Sequence, residues 1–292
     1  MVIFPENFDY GHALCGKQLF EFERDSNLRI MSNNVWVNDK NLDNWAEMGE
    51  DCSAEHRAKG IAACYMAFMP DIINVQEMTV VMLPYVIDNF KKCGYEYSAT
   101  ENIHSLNILY NTKTINLVDH GYHIFTYGSN SDGKGYVWAV FEHKATGKRF
   151  ASLSTHFWWM GESMRAGSDA WREAQALETA DRCREIAEQY NCPVFLGGDF
   201  NCRTSSQAIK NILSKGMLNC FGAALENDDF GSHHPCGREG FEKGNIGKNE
   251  DAIDHLFCYN LGDSVLNAFR RTEPEFFIKL SDHYPLYSDV KL

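Results

Sequence analysis

The chain has 292 residues, 44% of them hydrophobic and 13% aromatic, enough apolar material for one large globular domain or two small ones. No apolar stretch approaches the roughly 18 residues of a membrane span, so we expect no membrane partner. The formal charge is −13, and no run of basic residues offsets it. An acidic surface repels a polyphosphate backbone unless metals or a local basic patch intervene, which disfavours long nucleic acids without excluding a nuclease.

The ten cysteines and the first residues bear on the cellular compartment. No two cysteines form a C-x-x-C pair, which argues against a zinc ribbon or a thioredoxin motif. Several lie in apolar helix or strand contexts, where a free thiol behaves as a small hydrophobe. Residues 1–7 carry neither the basic nor the apolar region of a secretory signal. We therefore expect reduced thiols and a cytoplasmic protein.

The predicted elements follow an N-terminal extension, residues 1–27. Within it, the alternation of Phe20–Glu23 before turn-forming residues predicts a leading strand. Leu28–Trp36 is the first predicted core strand, and helical spacing over Ala54–Phe68 ends at Pro70. The further predicted helices are Thr79–Cys93, Met164–Tyr190 and Ser205–Ser214. The further predicted strands are Asp71–Glu77, Ser105–Tyr110, Ile115–Phe125, Val137–His143, Phe150–Phe157, Pro193–Leu196, Ile253–Tyr259, Val265–Phe269 and Pro285–Val290.

This order of elements predicts a single domain over residues 1–292 of the α/β or α+β class. Neighbouring strands often lack an intervening helix, which argues against a simple doubly wound sheet. The long helix should turn an apolar stripe to the core: Ala174, Leu177, Ala180 and Ile186. Residues 221–252 show no period, and a loop of that length is usually functional or disordered.

Polar side chains stand where predicted buried strands end. Asn34 lies near the end of the first core strand, and Glu77 closes the second. Taken alone, Asn34 is expected to bond a neighbouring loop and Glu77 to be solvated. Together they offer one neutral and one charged oxygen, which suits a Mg²⁺ ion that keeps several waters.

The segment Gly197–Asn201 is more specific. Its two glycines give the backbone freedom to turn and let a ligand approach closely. Asp199 and Asn201 are two residues apart, so they point to one side if the chain stays extended. A carboxylate can deprotonate water and an amide can donate to an oxyanion. The alternative is a turn held by side-chain hydrogen bonds of Asp or Asn.

Histidines next to further carboxylates complete the set. The segment Ser281–Pro285 joins Asp282, a potential metal ligand, to His283. This imidazole can donate to a phosphoryl oxygen if a carboxylate keeps it protonated, and Asp254 is the candidate partner. His156 is a second candidate donor. The alternative for each histidine is a structural residue with satisfied hydrogen bonds.

These segments resemble the endonuclease/exonuclease/phosphatase superfamily, the metal-dependent phosphohydrolases related to pancreatic deoxyribonuclease. The resemblance runs from about residue 28 to 290. Each motif alone is weak, but six occur in the family's order. They are the strand bearing Asn34, the strand Asp71–Glu77, Ser154-Thr155-His156, Gly198-Asp199-Phe200-Asn201, Ile253–Phe257 and Ser281–Pro285.

The resemblance implies a four-layered α/β sandwich of two packed mixed β-sheets flanked by helices. It implies that Mg²⁺ or Mn²⁺ is held by Asn34, Glu77 and Asp282. It implies that Asp199 activates the attacking water and that Asn201 stabilises the transition state. It also implies that His156 and His283 contact the phosphate, with Asp254 orienting His283.

Supporting residues follow from the same resemblance. Arg57, Arg172 and Gln175 match positions that brace site loops, and the alternative for the two arginines is an exposed helix face. In a bacterial branch of the family an arginine stands four residues before a strand tryptophan. Here Lys134 stands four before Trp138, which replaces a planar bidentate phosphate contact with a point charge. The substrate preference of that branch therefore does not carry over.

Two further features bear on the substrate. The aromatic run Phe157–Met160 either stacks on a base or sugar or covers the core. The loop over residues 221–252 offers cations that would close over a phosphate: His233, His234, Arg238, Lys243 and Lys248. Its residues His233, His234 and Cys236 do not have the spacing of a known metal site.

Three functions compete at this point. The sequence favours a metal-dependent phosphoesterase that hydrolyses a small phosphomonoester or phosphodiester, with no obligate protein partner. A nuclease needs a basic groove, and the sequence contains no run of basic residues that indicates one. A non-catalytic binding module on the same fold would be expected to have lost at least one of the eight site residues. A lipid phosphodiesterase is disfavoured because no apolar docking hairpin is evident.

Overall fold

A computed structural model describes residues 26–38, 42–126, 134–234, 247–271 and 279–292. The predicted leading strand at Phe20–Glu23 lies outside these ranges, as do Cys15 and Cys236. The eight cysteines within them are free thiols, and all but Cys52 are buried. Among the described helices, none combines the length and apolar character needed to cross a bilayer.

Six α-helices and thirteen strands are described. The helices are α1 (Leu42–Met48), α2 (Ala54–Phe68), α3 (Met82–Lys92), α4 (Ser168–Tyr190), α5 (Gln207–Ser214) and α6 (Cys220–Ala223). The strands are β1 (Leu28–Asn34), β2 (Ile72–Gln76), β3 (Tyr97–Ala99), β4 (Asn107–Asn111), β5 (Ile115–Ile124), β6 (Gly135–His143), β7 (Arg149–His156), β8 (Val194–Asp199), β9 (Leu218–Asn219), β10 (Glu226–Asn227), β11 (Asp254–Tyr259), β12 (Val265–Arg271) and β13 (Leu286–Lys291).

The strands form two mixed sheets. The seven-stranded sheet has the order β10-β12-β13-β1-β2-β4-β3, and the six-stranded sheet has the order β5-β6-β7-β8-β11-β9. In the first, β1 and β2 run parallel, and in the second, β7 and β8 do. The remaining pairs around these central strands are antiparallel.

The two sheets pack face to face, and helices cover both outer faces. Leu28, Val137 and Phe195 belong to the apolar layer between the sheets. Helices α2 and α3 cover the seven-stranded sheet, while α4 and α5 cover the six-stranded sheet. Hydrogen bonds between side chains also join the sheets; for example, Gln76 Nε2 donates to Ser154 Oγ at 2.9 Å. This is the predicted four-layered α/β sandwich, so the fold-class prediction is confirmed.

Local sequence explains where several helices begin and end. The Ser53 hydroxyl accepts from the backbone of His56 at the start of α2, and Met69 ends this helix with a left-handed φ of 47°. The predicted start of α4 at Met164 is wrong, because the helix begins after Gly167, whose φ is 88°. Helix α3 begins at Met82 rather than Thr79, since the Thr79 hydroxyl accepts from Met82 N at 3.2 Å.

Other expectations were incomplete. Helix α1 was not predicted, although Trp45 packs on Trp36 with ring centroids 4.8 Å apart. The predicted apolar stripe of α4 includes Leu177, but this side chain is exposed, whereas Gln175 and Thr179 are buried. Residues 221–252 include α6, β10 and a 3₁₀ helix at Asn249–Asp251, while residues 235–246 lie outside the described ranges.

Replacing His255 with Gln should make the protein less sensitive to acid. Burial lowers the pKa of His255 from 6.5 to about 4, while its Nε2 donates to the Cys202 carbonyl at 3.0 Å. As the pH falls, His255 becomes protonated in the unfolded chain before it does so in the folded protein. The neutral buried His255 therefore contributes its full stabilisation above about pH 6.5, and this stabilisation is lost between about pH 6.5 and 4. The shift corresponds to roughly 3 kcal/mol at most.

Urea unfolding at pH 7 and at pH 4.5 measures this difference. Glutamine retains the donor but cannot become charged, so the loss of unfolding free energy between the two pH values should shrink. His120→Gln, a change at the exposed surface, is the matched control. An equal acid-induced loss in wild type and His255→Gln would contradict the prediction.

Candidate active site

The polar residues at the strand ends lie together at one end of the sandwich. Asn34 pairs in register with Gln76 where the parallel strands β1 and β2 finish. In the other sheet His156 lies beside Asp199, and Asp199 in turn lies opposite Asp254. Because the sheets pack face to face with these ends at the same edge, residues far apart in sequence become neighbours.

Asn34 and Glu77 form the side of the site that comes from the seven-stranded sheet. Asn34 Nδ2 lies 3.3 Å from Glu77 Oε1 and 3.0 Å from Asp199 Oδ2, so one amide links carboxylates of both sheets. Glu77 adopts a left-handed φ of 61°, which is costly for a residue other than glycine. Burial raises the pKa of Glu77, but His156 and Lys134 outweigh it and the net shift is downward.

Asp199 occupies the centre of the site. It is buried, and its Oδ1 accepts from the backbone of Asn201 at 2.8 Å. Burial alone would raise its pKa, but the nearby charge of His283 and a hydrogen bond with His156 hold it well below the usual range. The carboxylate is therefore ionised at neutral pH and able to accept a proton from water.

After Asp199 the chain does not stay extended but makes the alternative considered for this segment, a turn in which the Asp199 side chain accepts from Asn201 N. Asn201 has a φ of 49°, and its Nδ2 donates to the Phe157 carbonyl at 3.1 Å, leaving its second amide hydrogen for a ligand. The glycines before it serve the sheet rather than a turn. A Cβ added at Gly198 would come within 2.1 Å of the Thr155 carbonyl oxygen, so only glycine permits this strand approach.

His283 is held by a chain of hydrogen bonds. Its Nδ1 lies 2.8 Å from Asp254 Oδ2, and the same oxygen accepts from Ser232 Oγ at 2.7 Å. Its Nε2 is 3.8 Å from Asp199 Oδ2. Burial would lower the pKa of His283, but Asp254, Asp282 and Asp199 raise it well above the ordinary value. The structure thus presents a positively charged imidazole to the centre of the site, with Asp254 placed to orient it.

His156 and Lys134 close the opposite side. His156 Nε2 is 3.4 Å from Asp199 Oδ2 and 3.8 Å from Glu77 Oε1. The Lys134 ammonium lies 2.6 Å from that nitrogen and 3.1 Å from the other ring nitrogen. Strand register explains the contact, because Gly135, the next residue, pairs with His156. Lys134 had been noted in the sequence only by its spacing from Trp138.

The chemistry of the donor set fits a hard divalent cation. Oxygens of two ionised carboxylates, Glu77 and Asp199, converge on the amide of Asn34. Asp282 adds a carboxylate whose Oδ1 is 3.9 Å from His283 Nε2. Asn34 Oδ1 accepts from Trp36 N at 2.9 Å, so binding an ion through this oxygen requires the amide to rotate. Among the described residues, one atom each of Asp199, Asp254 and His283 lies within 4.8 Å of the other two, and this cluster does not contain the predicted ligands Glu77 and Asp282.

The residues predicted to brace the site are buried rather than solvated. Arg57 donates to the backbone carbonyls of Val35, Trp36 and Leu280. It therefore ties the chain after Asn34 to the chain before Asp282.

A second arginine braces the aromatic segment. Arg172 Nη1 donates to the Met160 carbonyl at 2.6 Å, and Gln175 Oε1 accepts from Trp158 N at 2.9 Å. Phe157 and Trp158 belong to the core, whereas Trp159 is 48% exposed. Of these three aromatic residues, only Trp159 is therefore available to a substrate.

Sequence reasoning did not predict two contacts of the candidate site residues, although it had named His233 as a cation of the 221–252 loop. Ser232 binds Asp254, and His233 forms an isolated antiparallel bridge with His283. Neither stands in a periodic element or in a matched motif, so the sequence carried no signal for their positions. Only the pairing of two chain segments in space reveals them.

Comparison with known proteins identifies the fold. No protein-family model and no curated protein matches the sequence. An endonuclease/exonuclease/phosphatase from Bacteroides vulgatus aligns over 91% of this chain and 98% of its own, with a TM-score of 0.67 and 20% identity. The mannosyl-6-phosphatase Bt3783 of Bacteroides thetaiotaomicron aligns over 91% and 100%, with a TM-score of 0.68 and 19% identity.

A protein solved with a nucleic-acid product is also similar. D. rerio TDP2 complexed with a single-strand DNA product aligns over 91% of this chain and 99% of its own, with a TM-score of 0.66 and 15% identity. These likenesses establish that the protein has the endonuclease/exonuclease/phosphatase fold, as the sequence resemblance implied. Proteins of this fold include a mannosyl-6-phosphatase and a protein complexed with a single-strand DNA product, so the fold leaves the substrate open.

Proposed function

We propose that the protein is a divalent-metal-dependent phosphoesterase that hydrolyses the P–O bond of a small phosphomonoester or phosphodiester. The observation that carries this proposal is the meeting of ionised Asp199 with charged His283 at the end of the sandwich where Asn34, Glu77 and His156 also converge. A proton acceptor, cationic donors and oxygen ligands around one spot are the groups that phosphoryl transfer to water requires.

The residues would divide the reaction between them. Asp199 takes a proton from the attacking water as the water oxygen bonds to phosphorus in line with the ester oxygen. The P–O bond to that oxygen breaks, and its electron pair leaves with the alcohol, which is protonated from solvent. His156, His283 and the second amide hydrogen of Asn201 donate to the non-bridging oxygens, whose charge they stabilise. Lys134 adds a point charge next to His156.

Asn34, Glu77 and Asp282 would hold Mg²⁺ or Mn²⁺. When bound, the ion would polarise the phosphoryl group and neutralise negative charge that builds up on it. Asp254 keeps His283 oriented through its Nδ1, and Ser232 fixes the Asp254 oxygen that accepts this bond. We further propose a cytoplasmic location, a proposal that the free thiols among the described residues support.

A small substrate is favoured over nucleic acid by charge. The chain carries a net charge of −13, which repels an extended polyphosphate. The similar mannosyl-6-phosphatase is consistent with a small substrate, while TDP2 with its DNA product keeps the nuclease as the second candidate. A binding module without catalysis is disfavoured because the eight predicted site residues are retained and their side chains converge.

A substrate panel with Mg²⁺, Mn²⁺ or EDTA tests the proposal. It contains nitrophenyl phosphate, bis-nitrophenyl phosphate, sugar and inositol phosphates, and short single- and double-stranded nucleic acids. We expect metal-dependent turnover that EDTA abolishes, fastest on a small phosphoester. Turnover of nucleic acid alone would favour the nuclease. No turnover and no metal binding by calorimetry would favour the binding module.

Glu77→Gln should raise the Mg²⁺ concentration needed for half-maximal activity by at least about tenfold, because one anionic oxygen ligand is lost. Activity should partly return at high metal concentration. Glu188→Gln on the exposed surface of α4 is the matched control. An unchanged metal requirement in Glu77→Gln would remove Glu77 from the metal site.

A further inference from the structure

We propose that His233 recognises a hydroxyl of the substrate's alcohol next to the scissile ester, so that the enzyme acts on phosphorylated sugars or polyols. This inference rests on the proposed phosphoesterase function and names the substrate class within it.

Backbone pairing places the His233 side chain at the site. His234 N donates to the Asp282 carbonyl at 2.9 Å, and Tyr284 N donates to the Ser232 carbonyl at 2.8 Å. These two bonds flank His233 and His283, which therefore form a non-hydrogen-bonded antiparallel pair. In such a pair the backbones approach closely and both side chains lie on the same side. The two imidazole rings accordingly lie 6.0 Å apart between centroids.

The His233 ring has an unused polar atom. Its Nδ1 is buried and has no hydrogen-bond partner among the described residues. A buried nitrogen without a partner costs free energy, so an arrangement of this kind is expected where a ligand supplies the missing partner. The nitrogen belongs to the ring beside His283, the group assigned to the phosphoryl oxygens.

The chemistry of this ring suits a hydroxyl rather than a phosphoryl oxygen. Burial lowers the pKa of His233 to about 4, which favours the neutral imidazole. A neutral imidazole has one donor and one acceptor nitrogen, and a hydroxyl can serve either. Phosphoryl oxygens only accept, and under the proposed function His156, His283 and the Asn201 amide already donate to them.

Distance along the substrate agrees with this assignment. In a sugar or polyol phosphate the next hydroxyl is only a few bonds from the ester oxygen. If His283 contacts the phosphoryl group, that hydroxyl reaches the neighbouring ring. A site built to bond a hydroxyl discriminates against substrates that lack it, because its own polar atom is then left unpaired.

The test compares His233→Phe with wild type on two substrate types, in the full chain with saturating metal. Phenylalanine keeps the ring and removes both nitrogens. We expect kcat/KM for hexose 6-phosphate and glycerol 3-phosphate to fall roughly tenfold, the effect of one hydrogen bond to substrate. Nitrophenyl phosphate has no hydroxyl, so its kcat/KM should change less than about twofold. His233→Asn, which retains a donor and an acceptor, should restore part of the loss, and exposed His56→Phe is the control.

Each outcome decides the inference. An equal loss on both substrate types would show a structural role for His233, and no loss on either would show that it does not contact substrate. Wild type that hydrolyses nitrophenyl phosphate but no hydroxylated phosphate would overturn the substrate class while leaving the phosphoesterase intact. Wild type that hydrolyses no phosphoester would instead overturn the proposed function itself.

Discussion

Asp199→Asn should lower kcat for phosphoester hydrolysis by about 10²- to 10⁴-fold, the usual contribution of a general base. Asparagine has the same shape and can still accept from Asn201 N, which now bonds Asp199 Oδ1 at 2.8 Å. What the change removes is the carboxylate that His283 and His156 keep ionised at neutral pH. Since the water then has no proton acceptor, the chemical step should slow while KM changes little.

Steady-state kinetics on nitrophenyl phosphate at saturating Mg²⁺ measures this effect, and calorimetric titration shows whether metal affinity is retained. Asp263→Asn, in an exposed turn after β11, is the matched control and should leave kcat within twofold, or about the experimental scatter. If Asp199→Asn kept more than about a tenth of wild-type activity, another group would be the base. If it lost activity only by losing metal, Asp199 would be a ligand rather than the base.

Arg57→Met should destabilise the protein by about 3–5 kcal/mol, the effect of removing one partner from a buried ionic or polar network. Arg57 is fully buried, and its guanidinium donates to three backbone carbonyls, those of Val35, Trp36 and Leu280. Burial lowers its pKa to about 10, so it remains charged at pH 7. Methionine fills a similar volume but leaves those carbonyls without their donors.

Urea unfolding gives the free energy of unfolding for this comparison. Arg57→Lys should recover only part of the loss, because a compact ammonium cannot match the planar fork that reaches three carbonyls. Arg184→Met on α4, where the side chain is only 42% exposed, should change stability by less than about 0.5 kcal/mol. If Arg57→Met lowered the free energy of unfolding by less than about 1 kcal/mol, water would be replacing the arginine as donor to these carbonyls. Arg57 would then not brace the segments that bear Asn34 and Asp282.

Much of the candidate site was predictable because its residues stand at the ends of apolar runs. Val194–Gly197 must be buried, so the first charged residue after it, Asp199, falls at the strand end. The same reasoning placed Glu77 after β2 and Asp254 at the start of β11. Short-range patterns therefore predicted an α/β or α+β chain and the strand ends at which chemistry gathers, whereas the four-layered sandwich was implied by the family resemblance.

Short-range patterns failed where a residue's position depends on a distant partner. Thr179 and Gln175 are buried in α4 although Leu177 is exposed, because the face of a helix is chosen by the sheet it covers. Gly198 is required by the approach of Thr155, and Arg57 is buried by carbonyls from two other segments. None of these partners is close in the chain.

By itself, the sequence determined which groups are available: a carboxylate to accept a proton, imidazoles to donate and oxygens to hold a cation. Tertiary structure alone decided how they are paired. It placed Lys134 against His156, Ser232 against Asp254 and His233 beside His283. The physical reason is that strand identity follows from periodicity within a few residues, whereas register between strands and the packing of two sheets follow from contacts across the whole chain.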